Sequence, residues 1–370
     1  MVTILHTADI HLDRAFSGPG MSQGVAAARR QELREAVRRL VDLALELRAG
    51  ALTIGGDLYE HERATMDTGN FLRQQFERLA PARVFIAPGN HDPHVPASLY
   101  ERVEWPDNVV IFREPRFQPA SVVPGVTLWG AGHDGPALRQ NLLSAFRVGG
   151  QGQHLLLFHG SDIQSVPEGK AAHAPFLLED VVATGAAFAL LGHYHSAKLH
   201  PQATPVFAYP GSPEPLDFSE EGEHCVLRLD VSPSAVAPQL LPFGQVSYST
   251  RRLDVTPMVT SDEATSAIAG LPGQGGIMRV VLEGQLQPEV DLDVPALYNA
   301  FAERFAFLDI VDRTEPGYDF DELAEESTTK GAFVRLMRSR IEGLTGDEAE
   351  VARQALGYGL RAFERRELTV

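Results

Sequence analysis

Five short apolar runs, each ending in a small polar cluster, constrain this chain more than any other feature of it. The runs are residues 2–5, 52–54, 84–87, 155–158 and 188–191. The clusters that follow are Asp9-Ile10-His11, Gly56-Asp57, Gly89-Asn90-His91-Asp92, His159-Gly160 and Gly192-His193-Tyr194-His195. Apolar runs this short and this continuous read as strands buried on both faces, which is the pattern of a parallel sheet covered by helices. In an open α/β sheet, ligands gather at the carboxyl ends of the strands. Five polar clusters placed at five such ends are therefore expected to converge.

Singly, each cluster has a bland reading. Asp-x-His is a turn with a surface histidine, Gly-Asp is an ordinary end to a strand, and a lone His159 is a core or capping residue. Their order and shared strand context favour the functional reading. The converging groups are the carboxylates of Asp9 and Asp57, the amide of Asn90, and the imidazoles of His11, His159, His193 and His195. Oxygen and imidazole donors without thiolate suit Mn, Fe, Zn or Mg, and argue against a structural zinc finger or an iron–sulfur cluster. Seven donors are too many for one small cation and fit two that share a bridge, with the ions ~3.5–4 Å apart. Asp57, which ends the strand between those carrying the other oxygen donors, is the natural bridge. Two cations so placed acidify a water and offset charge on phosphate oxygens. His91, next to Asn90 but assigned no metal, is the candidate catalytic acid, and Asp92 is expected to fix its ring.

The elements alternate. A helix near 26–48 carries Leu33, Val37, Leu40, Ala44 and Leu47 on one face. A helix is expected over 68–79, strands near 109–112 and 126–129, and a helix near 136–146. Prolines at 233, 238 and 242 suggest a break across 232–245. The chain thus divides into residues 1–255 and a smaller α+β domain, 256–370, with helices from 262, over 294–305, 331–342 and 347–365, and a strand at 278–282. The single Cys225 reads as a buried core residue.

At this point the residues resemble a known family. The five clusters are similar to those of the calcineurin-like metallophosphoesterase superfamily and, within it, of the SbcD-type DNA repair nucleases and their YhaO-like branch. The opening His6-Thr7-Ala8-Asp9-Ile10-His11-Leu12-Asp13, the run from Phe71 to Phe76 and the run from Tyr209 to Phe218 carry the same resemblance. It implies a two-sheet α/β sandwich followed by a capping domain that contacts DNA. It also implies that Asp9, His11, Asp57 and His195 hold one metal while Asp57, Asn90, His159 and His193 hold the other, with His91 as catalytic histidine. Several SbcD-type nucleases carry a histidine three residues after the bridging aspartate, where this chain has Glu60 followed by His61.

Two divalent ions, manganese foremost, are the cofactors that the resemblance implies. The leading function is a DNA exonuclease or endonuclease subunit working with an SMC-like ATPase, as a homodimer built through 71–79 and 97–103. The alternatives are a small-molecule phosphodiesterase or phosphatase, and a scaffold that only recruits the ATPase. The charge balance sits awkwardly with DNA, because nonspecific affinity comes from Lys and Arg on phosphates. Residues 1–252 hold 21 Lys+Arg against 27 Asp+Glu and residues 253–370 hold 11 against 22, so −6 and −11 make up the net −17. Arg14, close behind His11, is the candidate phosphate contact. Arg30, Arg34 and Arg38 read as a solvated helix face more than as a phosphate stripe. His6, His61, His94 and His133 are expected to be structural or to support the site. No apolar run approaches 18 residues and no basic leader opens the chain, so a cytoplasmic protein with no membrane contact is expected.

Overall fold

The computed structural model describes residues 1–17, 21–166, 171–272, 275–287, 290 and 292–364. Its contacts divide the chain into two compact units, Met1–Ser247 and Tyr248–Val370.

The first unit opens with β1 (Val2–Thr7), α1 (Gln23–Glu46), β2 (Ala51–Ile54), α2 (Met66–Glu77), β3 (Arg83–Ile86), α3 (Leu99–Arg102) and β4 (Val109–Ile111). It continues with β5 (Gln118–Val123), β6 (Val126–Ala131), β7 (Gln153–His159), α4 (Leu178–Ala183), β8 (Phe188–Gly192), β9 (Lys198–His200), β10 (Phe207–Tyr209), β11 (Cys225–Val231) and β12 (Val236–Pro242). These strands form two six-stranded sheets among the described residues, in the orders β12-β11-β1-β2-β3-β4 and β5-β6-β7-β8-β10-β9. Strands β1 to β4 run parallel, as do β6, β7, β8 and β10.

Alternate side chains of each strand serve two cores, which is why the strand sequences are apolar throughout. Leu5, Leu52, Val84 and Ile86 join the helix-side core, with Leu33, Val37, Leu40 and Ala44 of α1. Ile4, Ala51, Phe85 and Ala87 instead meet Leu128, Leu155, Leu157, Phe188 and Leu190 of the second sheet. Leu156, Phe158, Ala189 and Leu191 fill the outer core of that second sheet. Each such side chain contributes roughly 1.5–3 kcal/mol by burial. Helix α1 starts where Ser22 accepts a hydrogen bond from the Val25 amide at 3.2 Å, which satisfies one of the free donors at its first turn. The architecture is the two-sheet α/β sandwich.

Three sequence expectations differ from the structure. No helix forms over 136–146. There the Asn141 side chain accepts from the Leu143 amide at 2.8 Å and donates to Asp180 at 2.7 Å, offering the backbone a turn in place of a helix. The proline-marked stretch 232–245 is no linker, because it contains β12. Pro238 and Pro242 are tolerated there because β12 is an edge strand, lying opposite Leu229 and Cys225 of β11. The division between units falls after Ser247 and not after residue 255, because the next seven residues form a strand of the second unit.

That unit comprises β13 (Tyr248–Asp254), α5 (Ser261–Ala269), β14 (Ile277–Leu286), α6 (Val294–Phe301), β15 (Phe307–Pro316), α7 (Phe320–Glu325), α8 (Thr329–Glu342) and α9 (Asp347–Glu364). The strands make a parallel sheet in sequence order, with α5 and α6 as the crossovers. Met278, Val280 and Leu282 of β14 pack with Ala264, Ile268, Leu297 and Leu308. Leu323, Val334, Leu356 and Leu360 form a second cluster among the last three helices. Residue 365, where the last helix was expected to end, lies outside the described residues. No described helix is long and apolar enough to cross a membrane.

Candidate metal centre

The polar clusters lie at the carboxyl ends of β1, β2, β3, β7 and β8. What lets two sheets share one site is the absence of side chains where their ends touch. A methyl group added at Gly192 would come within 2.2 Å of the Gly55 carbonyl oxygen. One added at Gly55 would lie 2.9 Å from the Gly192 amide nitrogen. The backbones meet directly, and the side chains that follow reach into a common space.

Asp9, His11, Asp57, Asn90, His159, His193 and His195 are all brought together there. Asp9, His11 and His195 form one group of closely spaced donor atoms, Asp9, Asp57 and His159 a second, and His11, Asp57 and His91 a third. His11 Nε2 lies 3.6 Å and His159 Nε2 3.4 Å from the same Asp57 oxygen, so this carboxylate stands between the groups. Asn90 Oδ1 is 3.0 Å and His193 Nδ1 3.1 Å from His159 Nε2. The His193 amide donates to both oxygens of Asp9. β8 ends at Gly192, and both His193 and His195 follow it, as the order of run and cluster implies. Four of the donor residues have positive φ: 121° at His193, 54° at Asp9, 52° at His11 and 52° at Asp57. Non-glycine residues in this region are strained, and such strain gathers at functional sites.

The donors fit cations on grounds internal to the structure. Three imidazoles have their outer nitrogen committed to an acceptor: His11 Nδ1 to Glu60 at 2.9 Å, His159 Nδ1 to the Gly55 carbonyl at 2.9 Å and His195 Nδ1 to Glu220 at 2.6 Å. Such contacts fix the tautomer and leave Nε2 as the ligating nitrogen. His11 Nε2 is buried and has no hydrogen-bond partner. With its Nδ1 proton given to Gly55, neutral His159 turns a lone pair towards the amide oxygen of Asn90, and a cation between the two satisfies both. Two divalent ions would be held by Asp9, His11 and His195, by Asn90, His159 and His193, and by Asp57 between them.

The titration behaviour agrees. Burial pushes Asp9 up to about 7 and Asp57 up to about 6. Burial also drives His11 down to about 4, His193 down to about 3, and His159 well below its ordinary value, with neighbouring imidazoles adding to the shift. Buried carboxylates short of positive charge and the neutral imidazoles of His11, His159 and His193 are what a cation meets on entry, whereas His195, held up at about 9 against its burial by the Glu220 hydrogen bond, gives up a proton to ligate.

His91 stands at the rim with its side chain 44% exposed. Its amide donates to Asp57 Oδ1 at 2.9 Å, and its Nδ1 lies 3.0 Å from Glu60 Oε2. The Glu60 hydrogen bond outweighs partial burial and pushes the His91 pKa up to about 9, so the ring is cationic at neutral pH. Asp92, expected to orient this ring, does not touch it. The Asp92 carboxylate is fully buried and accepts from the amides of Asp57, Leu58 and Gly89 at 2.9, 2.8 and 2.6 Å and from the Tyr100 hydroxyl at 2.5 Å. It staples the loops after β2 and β3; its charge still helps to raise the His91 pKa, but it does not orient the ring. The carboxylate that meets the His91 ring is that of Glu60.

Arg14 is paired with Asp217 at 3.1 Å and keeps about a quarter of its side chain exposed. Arg34 pairs with Asp67 and Arg38 with Glu35, so two members of the helix stripe are neutralised on the helix face. His6 is enclosed between Thr53 and the Leu191 carbonyl, and His133 faces the His159 carbonyl at 3.0 Å. His94 pairs with Glu101, and the His61 amide bonds the His91 carbonyl. Glu220, which holds His195 and also accepts from Ser212 and the Leu216 amide, was not anticipated. Neither was His173, whose ring lies 5.4 Å from that of His193.

Strand-end donors, pinned imidazoles and a bridging carboxylate on a two-sheet sandwich define a metal-dependent phosphoesterase. Residues 2–197 match the calcineurin-like phosphoesterase family, and the chain belongs to it. Over 308 residues it is 26% identical to the uncharacterized metallophosphoesterase YhaO of Bacillus subtilis strain 168, covering 80% of this chain and 74% of that one. Among solved structures it is similar to TT1561 of Thermus thermophilus, at 16% identity over 65% of this chain and 98% of that one, with a TM-score of 0.38. A dimetal phosphatase from Danio rerio is similar at 11% identity over 65% and 95%, with a TM-score of 0.40.

Proposed function

We propose that this chain hydrolyses DNA phosphodiester bonds at a centre of two divalent cations, manganese foremost, as a nuclease subunit that works with an SMC-like ATPase. The observation that carries the reading is His91: an imidazole at the rim of the donor cluster, 44% exposed and held through Nδ1 by Glu60. A sugar alkoxide is a poor leaving group, and its departure is speeded ~10²–10⁴-fold by a positioned proton donor. Bound cations supply the charge that offsets the phosphate oxygens and acidify the attacking water. The chain's own part is to hold His91 protonated beside Glu60, to keep the Asp57 carboxylate in register through the His91 amide, and to exclude solvent behind the buried imidazoles.

The resemblance of the metal motifs to SbcD-type nucleases supports DNA as the substrate. One observation favours the second reading, a small-molecule phosphodiesterase. The net charge is −17, and Arg14 and Arg34 are engaged by Asp217 and Asp67, which leaves weak attraction for a long polyanion. Incubation with Mn and labelled linear duplex, single strand and a chromogenic phosphodiester, scored together, separates the two. Cleavage of the chromogenic ester with both DNAs intact, alone and with the partner ATPase, refutes the nuclease reading.

The proposal includes a homodimer through 71–79 and 97–103. Phe71, Leu72, Phe76, Leu99 and Tyr100 are already buried in their own core, so this dimer would rest on outward residues such as Arg73 and Glu77. Light scattering that finds a monomer at tens of micromolar removes it.

A further inference from the structure

We infer that Glu60 is a positioning residue that ties His11 and His91 to one carboxylate, so that the donor cluster and the proton donor are set by the same side chain. The inference rests on the hydrolytic reading of the site.

Glu60 sits three residues beyond Asp57, and its backbone is fixed independently of its side chain. Its amide donates to the Leu12 carbonyl at 2.9 Å, and its own carbonyl accepts from the amides of Arg63 and Ala64. The carboxylate then spans two loops. Oε1 meets His11 Nδ1 at 2.9 Å, in the loop after β1, and Oε2 meets His91 Nδ1 at 3.0 Å, in the loop after β3. The two rings stand edge to face with centroids 4.8 Å apart. With one donor nitrogen each, they share a group with Asp57. The side chain of Glu60 is only 18% exposed, so water does not readily replace either contact.

A carboxylate only accepts, so both rings must present Nδ1–H to it. Each ring then keeps Nε2 for the site: His11 turns it to Asp57, and His91 has it for substrate. A glutamine of the same shape cannot serve both rings. Its oxygen accepts from one Nδ1–H, while its amide must donate to the other Nδ1, forcing that ring to carry its proton on Nε2. Replacement by aspartate keeps the charge but shortens the reach by one methylene, so one of the two contacts is lost.

The test compares Glu60→Gln and Glu60→Asp with the wild type by three measurements. The first is long-range 1H–15N spectra of 15N-histidine-labelled, chelator-treated full-length protein, with His11 and His91 assigned by single replacement. We expect protonated Nδ1 on both rings in the wild type, and loss of that proton from one of the two in Glu60→Gln. The second is Mn content by elemental analysis, expected to fall when the altered ring is His11. The third is steady-state hydrolysis of bis(p-nitrophenyl) phosphate with Mn. There kcat should drop ~10–100-fold in both variants, the usual range for loss of a group that orients a ligand, with KM within about twofold. Unchanged ring protonation in Glu60→Gln, or wild-type kcat in Glu60→Asp, overturns the inference. If the wild type hydrolyses no phosphodiester, the hydrolytic reading falls, and the ring spectra still decide what Glu60 does.

Discussion

Replacing Asp92 by asparagine distinguishes a staple from a catalytic orienter, and the structure sets the size of the effect. Oδ1 accepts from the amides of Asp57 and Gly89, while Oδ2 accepts from the Leu58 amide and the Tyr100 hydroxyl, all with the carboxyl group fully buried. Burial pushes the Asp92 pKa up to about 6, so the group is ionised at pH 7. In Asp92→Asn the retained oxygen keeps the Asp57 and Gly89 amides, though as a neutral acceptor. The hydroxyl of Tyr100 can rotate to accept from the new amide. The Leu58 amide is left facing a donor, at ~1–3 kcal/mol for one orphaned buried group, with ~1 kcal/mol more for each charge-assisted bond made neutral. The sum is ~3–5 kcal/mol. At ~2–4 °C per kcal/mol for a unit of this size, the melting temperature should fall by ~6–20 °C. Calorimetry on chelator-treated protein measures this, with Tyr100→Phe as a milder control that removes one bond of the four. Because Gly89 precedes Asn90, Mn content should fall as well. An Asp92→Asn protein that melts with the wild type but turns over slowly would refute the argument and return Asp92 to the chemistry.

Three further outcomes follow from the site. His91→Ala should keep its Mn content and near-normal KM while kcat falls ~10²–10⁴-fold, and a drop in bound metal would make His91 a ligand. Asp57→Asn should lose nearly all bound metal, whereas His195→Ala should lose chiefly one ion. Elemental analysis that finds two ions in Asp57→Asn removes the bridge. Burial holds the His6 pKa down at about 4, so its folded value lies below its unfolded one. Its contribution is full above the unfolded value near 6.5 and is lost as pH falls towards 4, an effect on the order of 3 kcal/mol. Urea midpoints across that window should fall less steeply in His6→Gln, and parallel curves would show that His6 does not titrate there.

The strands and the donors were legible because both follow from local pattern. Leu155 to Phe158 can only be a doubly buried run, and a polar cluster after such a run has one place to go. Glu60 and Glu220 were not legible as supports, because nothing near them in sequence names His11, His91 or His195 as partners. Those contacts exist only once loops after different strands are stacked. Asp92 was misread for a related reason. Adjacency to His91 suggested a ring contact, but the chain turns between the two, and the buried amides of Asp57, Leu58 and Gly89 compete more strongly for the carboxylate. The helix expected at 136–146 failed at Asn141, whose side chain bonds the backbone two residues on. The prolines of β12 misled because a gap in the ladder costs little on the outer side of an edge strand. Parallel pairing with β14 was equally invisible, so the strand from Tyr248 was counted with the first domain.

The glycine contact between Gly55 and Gly192 makes the centre a seam. Two of the three donor groups draw a histidine from the second sheet, His195 in one and His159 in the other, and complete it with side chains from the first. During synthesis the first sheet's donors are made well before β7 and β8 emerge, so neither of those groups can close on a partial chain. Loading with metal is accordingly a late event, gated by the meeting of two sheets. Bound metal then acts as a fastener across them: its retention reports that they are docked, and chelation should loosen the seam before it disturbs either sheet.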